Sequence, residues 1–158
     1  MYDKKLKITN NFTLGEFTKS ETADKLHIDN HGALNERVMV NLGNLCTHVL
    51  QPLRERAGIP IFISSGFRCP KLNKAVKGSS SSQHVKGEAA DIYIDPKNKQ
   101  SLFDILLMIV KTIEYDQLIW ETRADGRKWI HVSYVTYRKN RKMKLKCEDG
   151  KTYKTLNV

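Results

Sequence analysis

The 158-residue sequence lacks both the long apolar runs of membrane proteins and the closely paired cysteines of many disulfide-bonded or zinc-binding domains. No segment approaches the roughly 18 consecutive apolar residues that a membrane-spanning helix needs. The three cysteines, Cys46, Cys69 and Cys147, are far apart in the chain. Neither a disulfide framework nor a cysteine-ligated zinc site is therefore expected. Cys46 lies on an apolar helical stripe and is predicted to be a core residue.

Acidic residues are also scarce, with 17 Asp and Glu against 27 Lys and Arg, which gives a formal net charge of +10. Such a surface attracts polyanions, whether nucleic acid, anionic lipid or another anionic polymer. No predicted helix carries clustered basic residues in a recognition pattern, so specific nucleic-acid binding is not expected. Much of the excess charge is predicted to lie on a solvated basic strand and turn late in the chain: Arg138, Lys139, Arg141, Lys142, Lys144 and Lys146.

The periodicity of apolar residues predicts an α+β domain with a mainly antiparallel sheet flanked by helices. Helices are predicted over residues 12–23, 35–56, 71–77 and 101–113, the last with Ser101 as its N-cap. Strands are predicted over residues 59–64, 89–95, 117–122 and 128–137, with a further hairpin over 143–158. We expect one domain over residues 1–158, in which residues 138–158 form a basic C-terminal hairpin or tail.

Two histidines and an aspartate stand out as candidate metal ligands. His84 and Asp91 are seven residues apart on either side of Gly87, which lets the chain turn so that both side chains converge. His131 lies on a predicted strand further along the chain. Two neutral imidazoles and one carboxylate suit a catalytic zinc ion whose fourth position is open to water. A single histidine is more often structural, so this spacing alone leaves both roles open.

Several motifs in the same order resemble the zinc D-alanyl-D-alanine carboxypeptidase superfamily. Residues 82–91 follow the pattern S-x-H-x-x-G-x-A-x-D, and W-x-H follows on a predicted strand. Residues 64–68 resemble the SGFR segment of the family, and residues 11–17 resemble the opening of a subgroup similar to the C-terminal domain of the carboxypeptidase. The superfamily includes vancomycin-resistance dipeptidases, phage L-alanyl-D-glutamate endolysins and the hedgehog signalling domain. The resemblance covers about residues 11–134 and implies a hedgehog/DD-peptidase-like fold.

The resemblance also implies roles for individual residues. It makes His84, Asp91 and His131 the ligands of one zinc ion. The arginine of the SGFR segment is Arg68, expected to bind a carbonyl or carboxylate of the substrate and to stabilise an oxyanion. Ser82, two residues before the first ligand, is expected to help bind substrate. Surface roles in a turn and a flexible loop are the structural alternatives for Arg68 and Ser82.

The general base is the least defined part of the predicted site. Many relatives place an acid three or six residues before the last histidine, where this chain has Lys128 and Asp125. Asp125 lies in a predicted turn, where aspartate is common for conformational reasons. Glu121 is the preferred candidate, since a hairpin pivoting near Asp125 would place it across from Ile130 or His131. The third alternative is that neither Glu121 nor Asp125 acts as the general base.

One tryptophan is a further candidate for the substrate cleft. Trp129 stands two residues before the last predicted ligand, where many relatives have a histidine. We expect it to line the cleft and contact substrate, with packing within the hairpin as the structural alternative.

Together these features predict a zinc metallopeptidase that hydrolyses peptidoglycan peptide bonds next to a D-amino acid, as a carboxypeptidase or an endolysin-type endopeptidase. A non-catalytic zinc-binding and wall-binding module is the alternative. The expected partners are stem peptides and anionic cell-wall polymers, and the expected state is monomeric. The N-terminus lacks an apolar signal segment, so we expect the protein in the cytoplasm until it is released to the wall during phage or prophage lysis, or in the bacterial envelope.

Overall fold

A six-stranded sheet packed against helices forms the framework of the computed structural model, which describes residues 1–158. The helices are α1 (Leu14–Thr18), α2 (Glu21–Lys25), α3 (Glu36–Leu45), α4 (Gln51–Ala57), α5 (Pro70–Ala75) and α6 (Leu102–Thr112), with a π-helical turn at Cys46–Leu50 and a 3-10 turn at Gln83–Lys86. The strands are β1 (Phe62–Ser65), β2 (Ala89–Tyr93), β3 (Gln117–Thr122), β4 (Lys128–Ser133), β5 (Met143–Cys147) and β6 (Tyr153–Thr155). None of the helices has the length and apolar character needed to cross a bilayer.

The strands are ordered β1-β2-β4-β3-β5-β6 across the sheet. Every neighbouring pair is antiparallel except β3 and β5, which run parallel. The predicted α+β class and mainly antiparallel sheet are therefore confirmed. The parallel pair was not predicted. It arises because the segment after β4 turns back and delivers β5 to the free side of β3.

The two faces of the sheet differ in character because successive side chains on a strand point to opposite sides. Ile92 on β2 and Ile130 on β4 are directly paired and lie in the main hydrophobic core. Leu42 of α3 and Leu106 of α6 belong to the same core, and both are fully buried. The opposite face of β2 and β4 carries the polar residues that form the candidate site.

The predicted helix over residues 35–56 is a continuous helical segment with a widened turn in its middle. Asn35 caps its start, where its side chain accepts a hydrogen bond from the backbone N–H of Val38 at 3.0 Å. The π-helical turn at Cys46–Leu50 ends two residues before Pro52. Proline cannot donate to the carbonyl one turn earlier and crowds it, so a locally wider turn relieves the clash. Gly58 ends the segment in a left-handed conformation, with φ of 66°.

The prediction of one continuous helix over residues 12–23 is wrong. The structure has two short helices, α1 and α2, with Lys19 and Ser20 in extended conformations between them. The side chain of Ser20 accepts a hydrogen bond from the backbone N–H of Ala23 at 3.2 Å and so starts a new helix. A serine within an apolar pattern thus acts here as a cap.

Part of the basic segment late in the chain is structural, in contrast to the predicted solvated surface. Arg138 and Arg141 both donate hydrogen bonds to the carboxylate of Asp116, which is completely buried just before β3. Burial alone would raise the pKa of Asp116, but the hydrogen bonds from the two arginines outweigh it and hold that pKa well below its usual range. The carboxylate also accepts a hydrogen bond from Gln83 at 3.1 Å. One buried charge therefore ties the segment after β4 to the 3-10 turn.

We predict that Asp116→Asn lowers the free energy of unfolding at pH 7 by about 2–3 kcal/mol, because it leaves two arginines without their charged partner. The measurement is urea denaturation, with Glu114→Gln as the matched control. Glu114 pairs with Lys142 at 2.9 Å on the surface, where both side chains are about half exposed. The control should change stability by less than about 1 kcal/mol.

The contact of Asp116 with Arg138 and Arg141 also predicts that the free energy of unfolding depends on pH. Because the pKa of Asp116 is lower in the folded than in the unfolded protein, its contribution is fully present above the unfolded pKa and is lost as pH falls through the folded pKa. The stability difference between the wild type and Asp116→Asn should therefore shrink on acidification below about pH 4. An equal loss in both variants, or none in either, would contradict the assignment.

Candidate metal centre

Three elements bring His84, Asp91 and His131 together. Asp91 lies in the middle of β2 and is directly paired with His131 on β4. His84 lies on the 3-10 turn, which ends at Gly87 in a left-handed conformation with φ of 73°. A Cβ atom at Gly87 would lie 2.9 Å from the backbone oxygen of Val38, so glycine also permits close packing of the turn on α3.

The three side chains present one ligand atom each to a common point. Asp91 Oδ1 lies 3.0 Å from His131 Nδ1 and 3.2 Å from His84 Nε2, and the two nitrogens are 3.1 Å apart. Zinc bonds of about 2.0–2.1 Å in a tetrahedral arrangement place neighbouring ligand atoms about 3.3 Å apart. The observed spacing therefore fits a small tetrahedral metal ion, and the group is one that could hold a metal.

The protonation of the group also fits a metal. Burial lowers the pKa of His84, against the opposing effect of Asp91, so the imidazole is favoured in its neutral form. Its Nδ1–H donates to the carbonyl oxygen of Gly66 at 2.7 Å, which leaves Nε2 with a free lone pair. Burial alone would raise the pKa of Asp91, but His84 and His131 outweigh it, so its carboxyl group is ionised.

Arg68 is held beside this group by three neutral acceptors. Its Nε donates to Asn73 Oδ1 at 3.2 Å, Nη1 to Ser65 Oγ at 3.2 Å and Nη2 to Ser82 Oγ at 3.3 Å. Nη1 also lies 4.0 Å from Asp91 Oδ2. Burial lowers the pKa of Arg68, but the neighbouring carboxylates oppose this effect and the guanidinium remains a cation. Its position is therefore determined mostly by uncharged groups, which leaves the positive charge available to a ligand.

The turn containing Arg68 is joined to the 3-10 turn through the backbone. The N–H of Arg68 donates to the carbonyl oxygen of His84 at 3.2 Å. Ser82 Oγ accepts from Arg68 and also from the backbone N–H of His84, the latter at 3.4 Å. Ser82 thus orients both Arg68 and the 3-10 turn that carries His84. Sequence reasoning gave no role to Asn73, which lies between the two motifs at residues 64–68 and 82–91.

Glu121 lies on the same face of the sheet as His131, but in a different register from the one expected. It pairs with Trp129, and His131 pairs with Ile119. The hairpin has a three-residue loop ending at Gly126, with φ of 85°, in place of a tight turn that would pair Glu121 with Ile130 or His131. The pairing differs from a direct Glu121–His131 pair by two residues, which keeps both side chains on one face.

Glu121 is buried, with charged groups close by. Only 7% of the residue is exposed. Burial raises the pKa of Glu121, and the negative charge of Asp91 raises it further, against the opposing effect of Arg123. Arg123 Nη2 lies 3.1 Å from Glu121 Oε2, and its guanidinium covers the ring of Trp129 at 4.6 Å. Sequence reasoning did not single out Arg123, although its position two residues after Glu121 places it on the same face of the strand.

The other candidate acids lie in different settings. Asp125 is exposed in the hairpin loop, where it pairs with Arg127 at 2.8 Å. Glu88, which lies between His84 and Asp91 in sequence, is 3% exposed, and burial raises its pKa. The left-handed Gly87 turns the chain inward at that point, so Glu88 lies beneath the 3-10 turn.

An open cleft of about 1300 Å³ reaches the metal group at Asp91, and Arg68 and Trp129 also line it. Trp129 lines this cleft and also contacts Arg123 within the hairpin, so its predicted contact with substrate stays a prediction. Trp120 is on the opposite face of β3, where its ring meets the edge of Phe103 at 5.5 Å.

A buried group of two nitrogens and one oxygen, beside a fixed arginine in an open cleft, defines a hydrolytic metalloenzyme. Residues 10–133 match the family model described as Peptidase M15. The chain therefore belongs to the Peptidase M15 family and is a metallopeptidase. No curated protein matches the sequence.

We predict that the purified protein binds one equivalent of a divalent metal and that His84→Ala weakens this binding by more than about 100-fold. The variant removes one of the three converging ligand atoms. The measurement is metal content after equilibrium dialysis, together with a competition titration against a chelator. His48→Ala is the control, because His48 is exposed and stacks on Tyr134 at 4.8 Å. Equal metal content in the two variants would sink the ligand assignment.

Proposed function

We propose that this metallopeptidase is a zinc enzyme that hydrolyses peptidoglycan peptide bonds next to a D-amino acid. The observation that supports it most directly is the arrangement of His84, Asp91 and His131 at tetrahedral spacing beside Arg68. Membership of the Peptidase M15 family supports the peptidase class. The resemblance of the motifs to wall-cutting relatives supports the substrate.

Zinc is the proposed metal because of the ligand types and the geometry. Two imidazole nitrogens and one carboxylate oxygen are typical of catalytic zinc sites with three protein ligands. A zinc ion at this position supplies a Lewis acid that polarises the peptide carbonyl and favours ionisation of a water molecule.

Glu121 is the proposed general base. Its carboxylate lies on the same sheet face as His131, and burial raises its pKa, which makes it a better proton acceptor than an exposed carboxylate. It takes a proton from the attacking water and returns it to the nitrogen of the leaving amine. Arg123 holds the carboxylate in place. A buried acid on the same sheet face as His131 favours the enzyme over a non-catalytic binding module.

Arg68 is the proposed substrate clamp. Its charge faces the cleft beside Asp91, where a planar guanidinium can bind the carbonyl oxygen of the bond to be cut or a substrate carboxylate. It also stabilises negative charge as it develops on that oxygen. Ser82 and Trp129 complete the proposed binding surface, Ser82 by orienting Arg68 and Trp129 by lining the cleft.

The proposal includes both a carboxypeptidase and an endolysin-type endopeptidase, since the open cleft accepts a peptide that ends at the site or continues past it. The net charge of +10 favours association with anionic wall polymers. The proposed setting is the bacterial cell wall, reached through release from the cytoplasm or by export. A monomer of one domain spanning residues 1–158 is sufficient to form the site.

We predict that Glu121→Gln lowers kcat by about 10²–10⁴-fold while zinc content stays at the wild-type level, because the variant removes the proton acceptor and no ligand. The measurement is mass spectrometry of peptides released from purified peptidoglycan, followed by kinetics on the stem peptide identified in this way.

Asp125→Asn is the matched control, since it removes an acid from the exposed end of the same hairpin. It should retain wild-type activity. Full activity of Glu121→Gln would remove Glu121 as base. A zinc-loaded wild type that releases no peptide from any wall type would overturn the proposed function in favour of a binding module.

A further inference from the structure

The C-terminal hairpin lies outside residues 10–133, which match the family, yet it extends the face of the sheet that carries the site. Glu121 on β3 is paired with Cys147 on β5, and Cys147 is paired with Tyr153 on β6. Directly paired residues on neighbouring strands point to the same face of a sheet. A single row therefore runs from Trp129 through Glu121 and Cys147 to Tyr153.

Tyr153 differs from its neighbours in this row in being open to solvent. Cys147 is 1% exposed and Glu121 is 7% exposed, whereas Tyr153 is 51% exposed. No hydrogen bond within the chain engages its hydroxyl group. A half-exposed tyrosine with an unused donor, two strands away from a buried carboxylate on the same sheet face, has both an apolar ring and a polar group to offer a ligand.

The phenol lies within electrostatic reach of the proposed catalytic groups. Partial burial raises the pKa of Tyr153, and the negative charges of Glu121 and, more weakly, Asp91 raise it further. Because its pKa is raised, the hydroxyl group of Tyr153 remains protonated at neutral pH and can donate a hydrogen bond.

The turn of the C-terminal hairpin packs against Arg123, next to Glu121 and Trp129. Gly150 packs on the guanidinium of Arg123, so closely that a Cβ atom at Gly150 would lie 3.1 Å from Arg123 Cζ and 3.2 Å from Nη2. Arg123 in turn contacts both Glu121 and Trp129. The hairpin thus contacts the site through its turn as well as through the paired strands.

We propose that Tyr153 is a substrate-contacting residue, whose hydroxyl group donates a hydrogen bond to a carbonyl or carboxylate oxygen of the bound peptide on the side of the metal group where Glu121 lies. This inference rests on the proposed peptidase function. Arg68 then holds the peptide on one side of the metal group and Tyr153 on the other, with the bond to be cut between them. An extended substrate gains more from this second contact than a dipeptide does.

The test compares Tyr153→Phe, Tyr153→Ala and Lys154→Ala as zinc-loaded proteins on the stem peptide that the wild type cleaves. Lys154 is the adjacent residue and points to the opposite face of the hairpin, so it is the matched control. We expect Tyr153→Phe to lower kcat/KM by about three- to tenfold, mainly through a higher KM, because one neutral hydrogen bond is lost. Lys154→Ala should match the wild type, and zinc content and Tm should be unchanged in Tyr153→Phe.

The possible outcomes separate this inference from the proposed function. If the wild type cleaves the peptide and Tyr153→Phe keeps its kcat and KM, the contact is overturned while the peptidase stands. If only Tyr153→Ala loses activity, together with a lower Tm, the ring serves the packing of the hairpin and the contact is likewise overturned. If the zinc-loaded wild type cleaves no stem peptide, the proposed function falls, and the contact falls with it.

Discussion

The site depends first on the register between β2 and β4. That register pairs Asp91 with His131 and, one position along, Ile92 with Ile130. The isoleucines are fully buried in the core, so their burial opposes any slip of one strand past the other. A slip of β2 past β4 by one residue would place Asp91 and His131 on opposite faces of the sheet. The apolar face of the sheet thus determines the geometry of the metal group on its polar face.

The third ligand is positioned by polar contacts of a different kind. His84 lies on a short turn with little apolar surface of its own, and it is held through the carbonyl of Gly66, the backbone of Arg68 and the hydroxyl of Ser82. The same contacts fix the arginine, so the ligand and the proposed substrate clamp cannot move independently. Such coupling suits a site in which an error of about 1 Å between metal and clamp would reduce catalysis strongly.

The sequence allowed the class of fold, most elements and the identity of the three converging residues to be predicted, because these depend on local periodicity and on motifs in a recognisable order. The pairing of Glu121 with Trp129 could not be predicted, since it depends on the conformation of a three-residue loop ending at Gly126. Nor could the role of Asp116 be predicted. Its arginine partners lie 22 and 25 residues away in sequence, and nothing local distinguishes them from solvated basic residues.

The parallel pairing of β3 with β5 encloses the side of the site that contains Glu121. A sheet that ended at β3 would expose the strand carrying Glu121 as an edge, open to water along its length. With β5 beside it, Glu121 lies in the interior of the sheet next to the buried Cys147, and that burial raises its pKa. The segment that delivers β5 is held by Asp116 through Arg138 and Arg141, and Asp116 also binds Gln83 beside the first ligand. The chain beyond the family match is therefore part of what sets the environment of the proposed base.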